Sequence, residues 1–270
     1  MKLLDLRKEL KNIFEQQDIE TSDVDFIISE VLSVPRTELV LIEEISEEDE
    51  NEIRDKCISR LNNMPVEKIF QRSYFFGMEF KVDQNVLSPR PESELLVETA
   101  LKYIKENEYK KVLDMCTGSG CLAISVKKSA EVDVTAVDIS AKALQIAKFN
   151  AKQNEAEIKF IRSNMFEKVE DKFDLIISNP PYIDSDEMET LDKEVTEYDP
   201  HIALDGGELG LKYYSIIHDN LRKHLNENGM LILEIGEDQK ELIAMLFNDF
   251  NLVECIQDYA GLDRVMVFKR

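Results

Sequence analysis

The sequence is short of positive charge, of cysteine and histidine, and of long apolar runs. Lys and Arg number 33 against 55 Asp and Glu, for a net charge of −22. That balance argues against tight, sequence-blind nucleic-acid binding, which is driven by Lys and Arg neutralising phosphates. It leaves room for a nucleic-acid substrate held in a local basic cleft. No stretch reaches the 18 or so apolar residues of a membrane span. Charges interrupt the first residues before a signal-peptide core could form. Cys57, Cys116, Cys121 and Cys255 include no CxxC pair and read as reduced thiols of a cytoplasmic protein. His201, His218 and His224 have no HExxH or other metal spacing, so no metal is expected.

Hydrophobic residues make up 43% of the chain and charged residues 33%, a composition that supports a folded core. The length of 270 residues suggests two domains at roughly 150 residues each. Residues 1–70 read as a helical domain. Leu3, Leu6, Leu10, Ile13 and Phe14 share one helical face. Val24, Ile27, Ile28, Val31 and Leu32 repeat the pattern behind an N-cap expected at Ser22. Ser46 precedes an acidic run suited to a helix N-terminus, with Ile53, Cys57, Ile58 and Leu61 as the apolar stripe. Residues 71–90 are expected as hairpin and linker. Aromatics from Ile69-Phe70 to Phe80 flank Gly77, and Pro89 and Pro91 exclude helix interior. From residue 91 to 270, and clearly from 111, strand and helix patterns alternate. That implies a parallel, doubly wound α/β sheet. The last two strands, with only residues 258–263 between them, should pair as an antiparallel hairpin.

Three motifs follow strands of that sheet. Cys116-Thr117-Gly118-Ser119-Gly120 sits between the first strand and its helix, where glycines admit a ligand and the helix N-terminus favours anionic groups. It does not match the nicotinamide fingerprint GxGxxG. Asp138 ends the next strand, a position that accepts hydrogen bonds from ribose hydroxyls or serves the first turn at Ser140-Ala141. Loop and acid together indicate an adenosine-containing cofactor. Asn179-Pro180-Pro181-Tyr182 follows the apolar strand Leu175–Ser178. The Asn179 side-chain oxygen and the Pro180 carbonyl can both accept from one substrate NH₂, and Tyr182 can stack on a planar amide or base. A sulfonium methyl donor needs such positioning when the acceptor is a planar, weakly nucleophilic nitrogen.

With these motifs in register, the chain resembles the HemK/PrmC family of peptide chain release factor glutamine methyltransferases, over nearly its whole length. Further matches are Leu87-Ser88-Pro89-Arg90-Pro91-Glu92-Ser93-Glu94, Tyr198-Asp199-Pro200, Ala203-Leu204-Asp205-Gly206-Gly207, Gly210-Leu211, Leu233-Glu234-Ile235-Gly236 and Ala260-Gly261-Leu262-Asp263-Arg264. The resemblance implies a class I S-adenosylmethionine-dependent methyltransferase fold, Rossmann-like, behind a small all-helical domain that docks the substrate. It implies methylation of the side-chain amide nitrogen of the glutamine in the Gly-Gly-Gln motif of class I release factors. Cys116, Thr117, Gly118, Ser119 and Gly120 would cradle the methionine end of the cofactor. Asp138 would bind its ribose, and Asn164 and Met165 would border its adenine. Asn179, Pro180, Pro181 and Tyr182 would hold the glutamine, with Asn179 also beside the cofactor. A monomer without stable nucleic-acid or membrane binding is expected.

Three residues depart from the family pattern. Cys116 replaces a glycine and is expected to require a negative φ. Asn164 replaces an aspartate, and Ser88 an apolar residue. Two rival readings use the same residues: a nucleic-acid adenine N6-methyltransferase sharing the Asn-Pro-Pro-Tyr motif, and a non-catalytic cofactor-binding scaffold. The first would need a base-flipping pocket and a basic surface, which the acidic helical domain does not favour. The second has no need of an amide-gripping motif.

Overall fold

The computed structural model describes residues 2–270. The chain divides into two compact units. One comprises the described residues up to Gln71 together with Asp192–Tyr198, the other Arg72–Leu191 with Asp199–Arg270. No helix among the described residues is long and apolar enough to cross a membrane.

The first unit is built from α1 (Leu3–Gln16), α2 (Ser22–Leu32), α3 (Glu47–Leu61) and α4 (Val66–Phe70). Its core joins Leu3, Leu6, Leu10 and Phe14 to Val24, Ile27, Ile28, Ile53 and Cys57. Such buried aliphatic and aromatic side chains each contribute about 1.5–3 kcal/mol. Ser46 caps α3, its hydroxyl accepting from the Asp49 N–H at 3.0 Å. Two expectations are corrected. Ser22 is the first residue of α2, and its cap position is Thr21, which makes no side-chain capping bond. Ile58 is 55% exposed, because Ile53, Cys57 and Leu61 recur at i, i+4 and i+8 and leave Ile58 a third of a turn away.

The second unit begins with β1 (Arg72–Phe75) paired to β2 (Met78–Lys81) across Phe76-Gly77. Ile69 and Phe70, expected in this hairpin, instead close α4. Pro91–Ser93 forms a 3₁₀ turn leading into α5 (Glu94–Asn107), with Pro91 where no N–H is needed. The chain continues through β3 (Lys111–Met115), α6 (Cys121–Ser129), β4 (Asp133–Asp138), α7 (Ala141–Gln153), β5 (Lys159–Arg162) and β6 (Phe173–Ser178). It then enters α8 (Lys193–Tyr198), which the sequence groups with the domain from residue 91 but which lies in the first unit. There Glu194 pairs with Arg60 at 3.0 Å, and the Tyr198 hydroxyl donates to the Asn62 carbonyl at 2.9 Å. α9 (Lys212–His224), β7 (Leu225–Glu234), α10 (Lys240–Leu246), β8 (Asn251–Gln257) and β9 (Asp263–Lys269) complete the fold.

The sheet runs β5-β4-β3-β6-β7-β9-β8. It is parallel from β5 to β7, and β9 is antiparallel to both its neighbours. The terminal hairpin is therefore present, and its second strand, β9, is the one that meets β7. Strand residues are apolar on both faces and are sorted by alternation. Val112, Val134, Leu175 and Ile177 face Leu96 and Leu122 of α5 and α6, whereas Leu113, Val137, Ile176 and Leu231 face Tyr214 and Ile243 of α9 and α10. The chain leaves β3 in one direction for β4 and returns on its other side at β6. Such a reversal opens a crevice at the carboxyl ends of the strands.

Candidate active site

The loop from β3 to α6 is held by its own backbone. The Thr117 N–H donates to the Val137 carbonyl at 2.9 Å, and the Thr117 hydroxyl donates to Asp114 Oδ2 at 2.5 Å. Gly118 N–H donates to Asp138 Oδ2 at 2.9 Å, while Ser140 N–H donates to Asp138 Oδ1 at 2.8 Å. Asp138 thus ties the β3–α6 and β4–α7 loops together, one carboxylate oxygen on each. Burial raises its pKa against these backbone donors. A Cβ on Gly120 would lie 3.1 Å from that of Ala147, so glycine there permits close approach of α6 and α7. Buried Asn150 fastens the loop from behind. Its amide donates to the Ser119 carbonyl at 2.9 Å and the Lys81 carbonyl at 3.0 Å.

Cys116 overturns the expectation of a negative φ. Its φ is +64°, the left-handed region, and its sulfur lies 3.7 Å from that of Met165. The turn imposes this backbone whatever side chain is present, because Thr117 and Gly118 must face β4 and Asp138. The strain costs about 1–2 kcal/mol.

Asn179, Pro180, Pro181 and Tyr182 follow β6, whose Ser178 hydroxyl donates to the Met115 carbonyl at 2.7 Å. Both prolines are buried and Tyr182 is half-buried. Burial and the nearby Glu234 charge push the Tyr182 hydroxyl up to about 12, so it stays protonated. The downstream glycines hold this segment. Gly206 N–H donates to the Ile183 carbonyl at 2.8 Å, and a Cβ on Gly206 would come within 2.8 Å of the Pro181 carbonyl oxygen. Gln239 Nε2 donates to the Tyr182 carbonyl at 2.9 Å. The Asn179 amide nitrogen donates to Ser93 Oγ at 3.2 Å. Among the described residues nothing donates to Asn179 Oδ1 or to the Pro180 carbonyl.

These pieces surround one cavity with about 990 Å³ of empty space, open to solvent. Cys116, Thr117, Gly118, Ser119, Asp138, Asn164, Met165, Asn179 and Pro181 line it. Gly120, Pro180 and Tyr182 stand behind the wall. The Asn164 amide is turned to Glu167 Oε1 at 2.7 Å, which leaves its carbonyl oxygen as the free end. Ser88, for which the sequence offered no account, is 3% exposed, lines the cavity, and has a hydroxyl without a protein partner. A Cβ on Gly118 would meet nothing within 4 Å. An open backbone cradle, a carboxylate on the cavity wall and a buried hydroxyl awaiting a partner fit a ligand with a ribose and an amino-acid tail. Ser93, Asn150, Glu234 and Gln239 were not singled out from the sequence. Ser93 and Glu234 lay in matched segments, but their pairing spans 141 residues and leaves no local pattern.

The sheet order, the antiparallel β9 and the cavity over β3, β4 and β6 define a Rossmann-like S-adenosylmethionine-dependent methyltransferase. The profile of the "Methyltransferase small domain" family matches residues 80–218. A methyltransferase of Pyrococcus furiosus superposes with a TM-score of 0.55 at 18% identity, over 80% of this chain and 98% of that one. The release factor glutamine methyltransferase of Thermodesulfovibrio yellowstonii is 37% identical over 100% of this chain and 99% of the relative. That of Clostridium acetobutylicum is likewise 37% identical over 100% and 99%. The chain belongs to the release factor glutamine methyltransferase family.

Proposed function

We propose that this protein methylates the side-chain amide nitrogen of the glutamine in the Gly-Gly-Gln motif of class I release factors. The single observation that carries the reading is Asn179. Its amide nitrogen is occupied by Ser93, its oxygen accepts from nothing in the protein, and the residue lines the cavity. A free amide oxygen on the cavity wall suits an NH₂ group, and the Pro180 carbonyl, which also has no protein donor, is the proposed second acceptor. S-adenosylmethionine, when bound, supplies an electrophilic methyl on a sulfonium sulfur. Gly118 and the rest of its loop would hold the cofactor's methionine end. Asp138 would take the ribose hydroxyls, and Asn164 with Met165 would border the adenine. Asn179 and Pro180 would orient the glutamine nitrogen, and their oxygens favour the positive charge it acquires as it gives up amide resonance. The methylated, cationic amide is acidic enough for water to take its proton, so no strong general base is required.

The release factor is the partner, and the helical unit is the proposed docking surface. We place the protein in the cytoplasm as a monomer. The test is methyl transfer from labelled S-adenosylmethionine to a purified, unmethylated class I release factor. A Gln→Ala form of its Gly-Gly-Gln motif and an unmethylated DNA duplex run alongside. Label on the unaltered factor alone is expected. Label on DNA alone would point instead to the adenine enzyme.

A further inference from the structure

A hydrogen-bond chain runs inward from Asn179. The Asn179 amide nitrogen donates to Ser93 Oγ at 3.2 Å, and the Ser93 hydroxyl donates to Glu234 Oε2 at 2.6 Å. Ser93 is 3% exposed and Glu234 4%, so water does not compete for these bonds. Ser93 ends the 3₁₀ turn before α5, and Glu234 ends β7, the strand beside β6. Each link has only one direction available. An ionised carboxylate only accepts, and a serine hydroxyl has a single proton. With that proton committed to Glu234, Ser93 offers Asn179 lone pairs alone. An amide oxygen turned toward Ser93 would meet another acceptor, so the NH₂ end must face it.

We propose that Glu234 is a positioning residue whose buried carboxylate, acting through Ser93, sets which end of the Asn179 amide faces the substrate. The inference rests on the reading that Asn179 receives the glutamine NH₂. The chain presents Asn179 Oδ1 to that group before it arrives. The negative charge behind the amide also polarises it, making the oxygen a stronger acceptor as the substrate nitrogen becomes cationic.

The arrangement is sensitive to pH. Burial raises the Glu234 carboxyl to about 7. Ser93, Arg264 and Asn179 favour the charged form, and Glu92 opposes it. Tyr182, Tyr214 and Cys121 also feel its charge, and burial keeps all three protonated. A protonated Glu234 can donate to Ser93. Ser93 can then donate to Asn179 Oδ1, which turns the amide the wrong way. Methyl transfer therefore falls as pH drops through about 7.

The test compares the full-length protein with Glu234→Gln, Ser93→Ala and Ser93→Thr. Release-factor methylation is followed from pH 6 to 9, with cofactor affinity measured by calorimetry. The side-chain NH₂ signals of Asn179, identified by their loss in Asn179→Ala, are followed by ¹⁵N NMR. Glu234→Gln should lower kcat by roughly tenfold or more, the scale expected of a misplaced group. Its KM and cofactor Kd should stay within about twofold, and the acid limb should vanish. Ser93→Thr should restore what Ser93→Ala loses. The Asn179 signals should titrate near 7 in the unaltered protein and not in Glu234→Gln. Unaltered kcat and pH profile in Glu234→Gln would overturn the proposal, as would Asn179 signals that do not titrate in the unaltered protein. If Glu234→Gln fails to fold, the Ser93 pair and the NMR titration decide. Absence of methyl transfer by the unaltered protein, with the titration intact, would remove the functional reading and leave the positioning chain standing.

Discussion

Gly210 packs directly against the carbonyl of Tyr182. A Cβ built on Gly210 would overlap that oxygen, and the glycine has a φ of +67°. The backbone of the Asn-Pro-Pro-Tyr segment is thus held by a surface that has no side chain. Gly210→Ala must displace Tyr182 or break the turn, and both move Asn179. We expect a loss of at least about 2 kcal/mol in stability, on the scale of overpacking at a left-handed glycine. Methyl transfer should fall with it. Thermal unfolding and initial rates of the purified variant check this.

Asn179→Ala should separate chemistry from binding. The side chain donates to Ser93 and helps hold the Glu234 carboxylate charged. Its loss should lower methyl transfer by about 100-fold or more, as for removal of one preorganised polar group. Cofactor affinity and unfolding temperature should hardly change. Calorimetry and single-turnover methylation together would expose a variant that merely misfolds.

Asp138→Ala should act on the cofactor. It removes the acceptor for both Gly118 and Ser140 N–H groups. The two loops lose their common anchor as well as the carboxylate proposed for the ribose. We expect the Kd for S-adenosylmethionine to rise by about tenfold or more, since charge-assisted hydrogen bonds contribute about 1.5–3 kcal/mol each. Unchanged affinity by calorimetry would remove Asp138 from the cofactor site.

Cys116→Gly should be tolerated. Glycine relieves the strain at a φ of +64°, but gives up the contact with Met165 and gains freedom in the unfolded chain. These effects oppose one another, so stability should stay within about 1 kcal/mol. Cofactor affinity should stay within about twofold. A large loss of affinity would mean that the thiol itself contacts the cofactor.

Acid should stabilise the ligand-free protein between pH 8 and 5. Burial raises Asp114 to about 7, against the hydrogen bond from Thr117, and raises Glu234 to about 7. For such a carboxyl, the favourable contribution is present below the unfolded pKa of about 4 and is lost as pH rises through the folded value. Asp138 is raised by burial and has the same sign. His224, lowered by burial, has the opposite sign. The carboxyls outnumber it, and the net charge of −22 adds repulsion at high pH. Scanning calorimetry should show the unfolding temperature falling from pH 5 to 8. Asp114→Asn should flatten that slope.

Local pattern determined much of this protein. Spacings of three and four marked α1 and α2, and apolar runs marked the strands. The loop at Cys116–Gly120, Asp138 and Asn179–Tyr182 stood out because each joins special residue types to the end of a strand. Only the tertiary structure decided the rest. The cap of α2 falls at Thr21 and Ile58 faces solvent, because a cap and a helical face depend on what packs nearby. Lys193–Tyr198 lies in the first unit through Arg60 and Asn62, more than 130 residues earlier. The φ of Cys116 was set by bonds from its neighbours to β4 and Asp138, not by its own side chain. The link from Asn179 through Ser93 to Glu234 joins three segments whose separations follow no period. Periodicity reports which face of one element is buried. It carries no record of which distant polar groups meet once water is excluded, and in this protein those meetings orient the site.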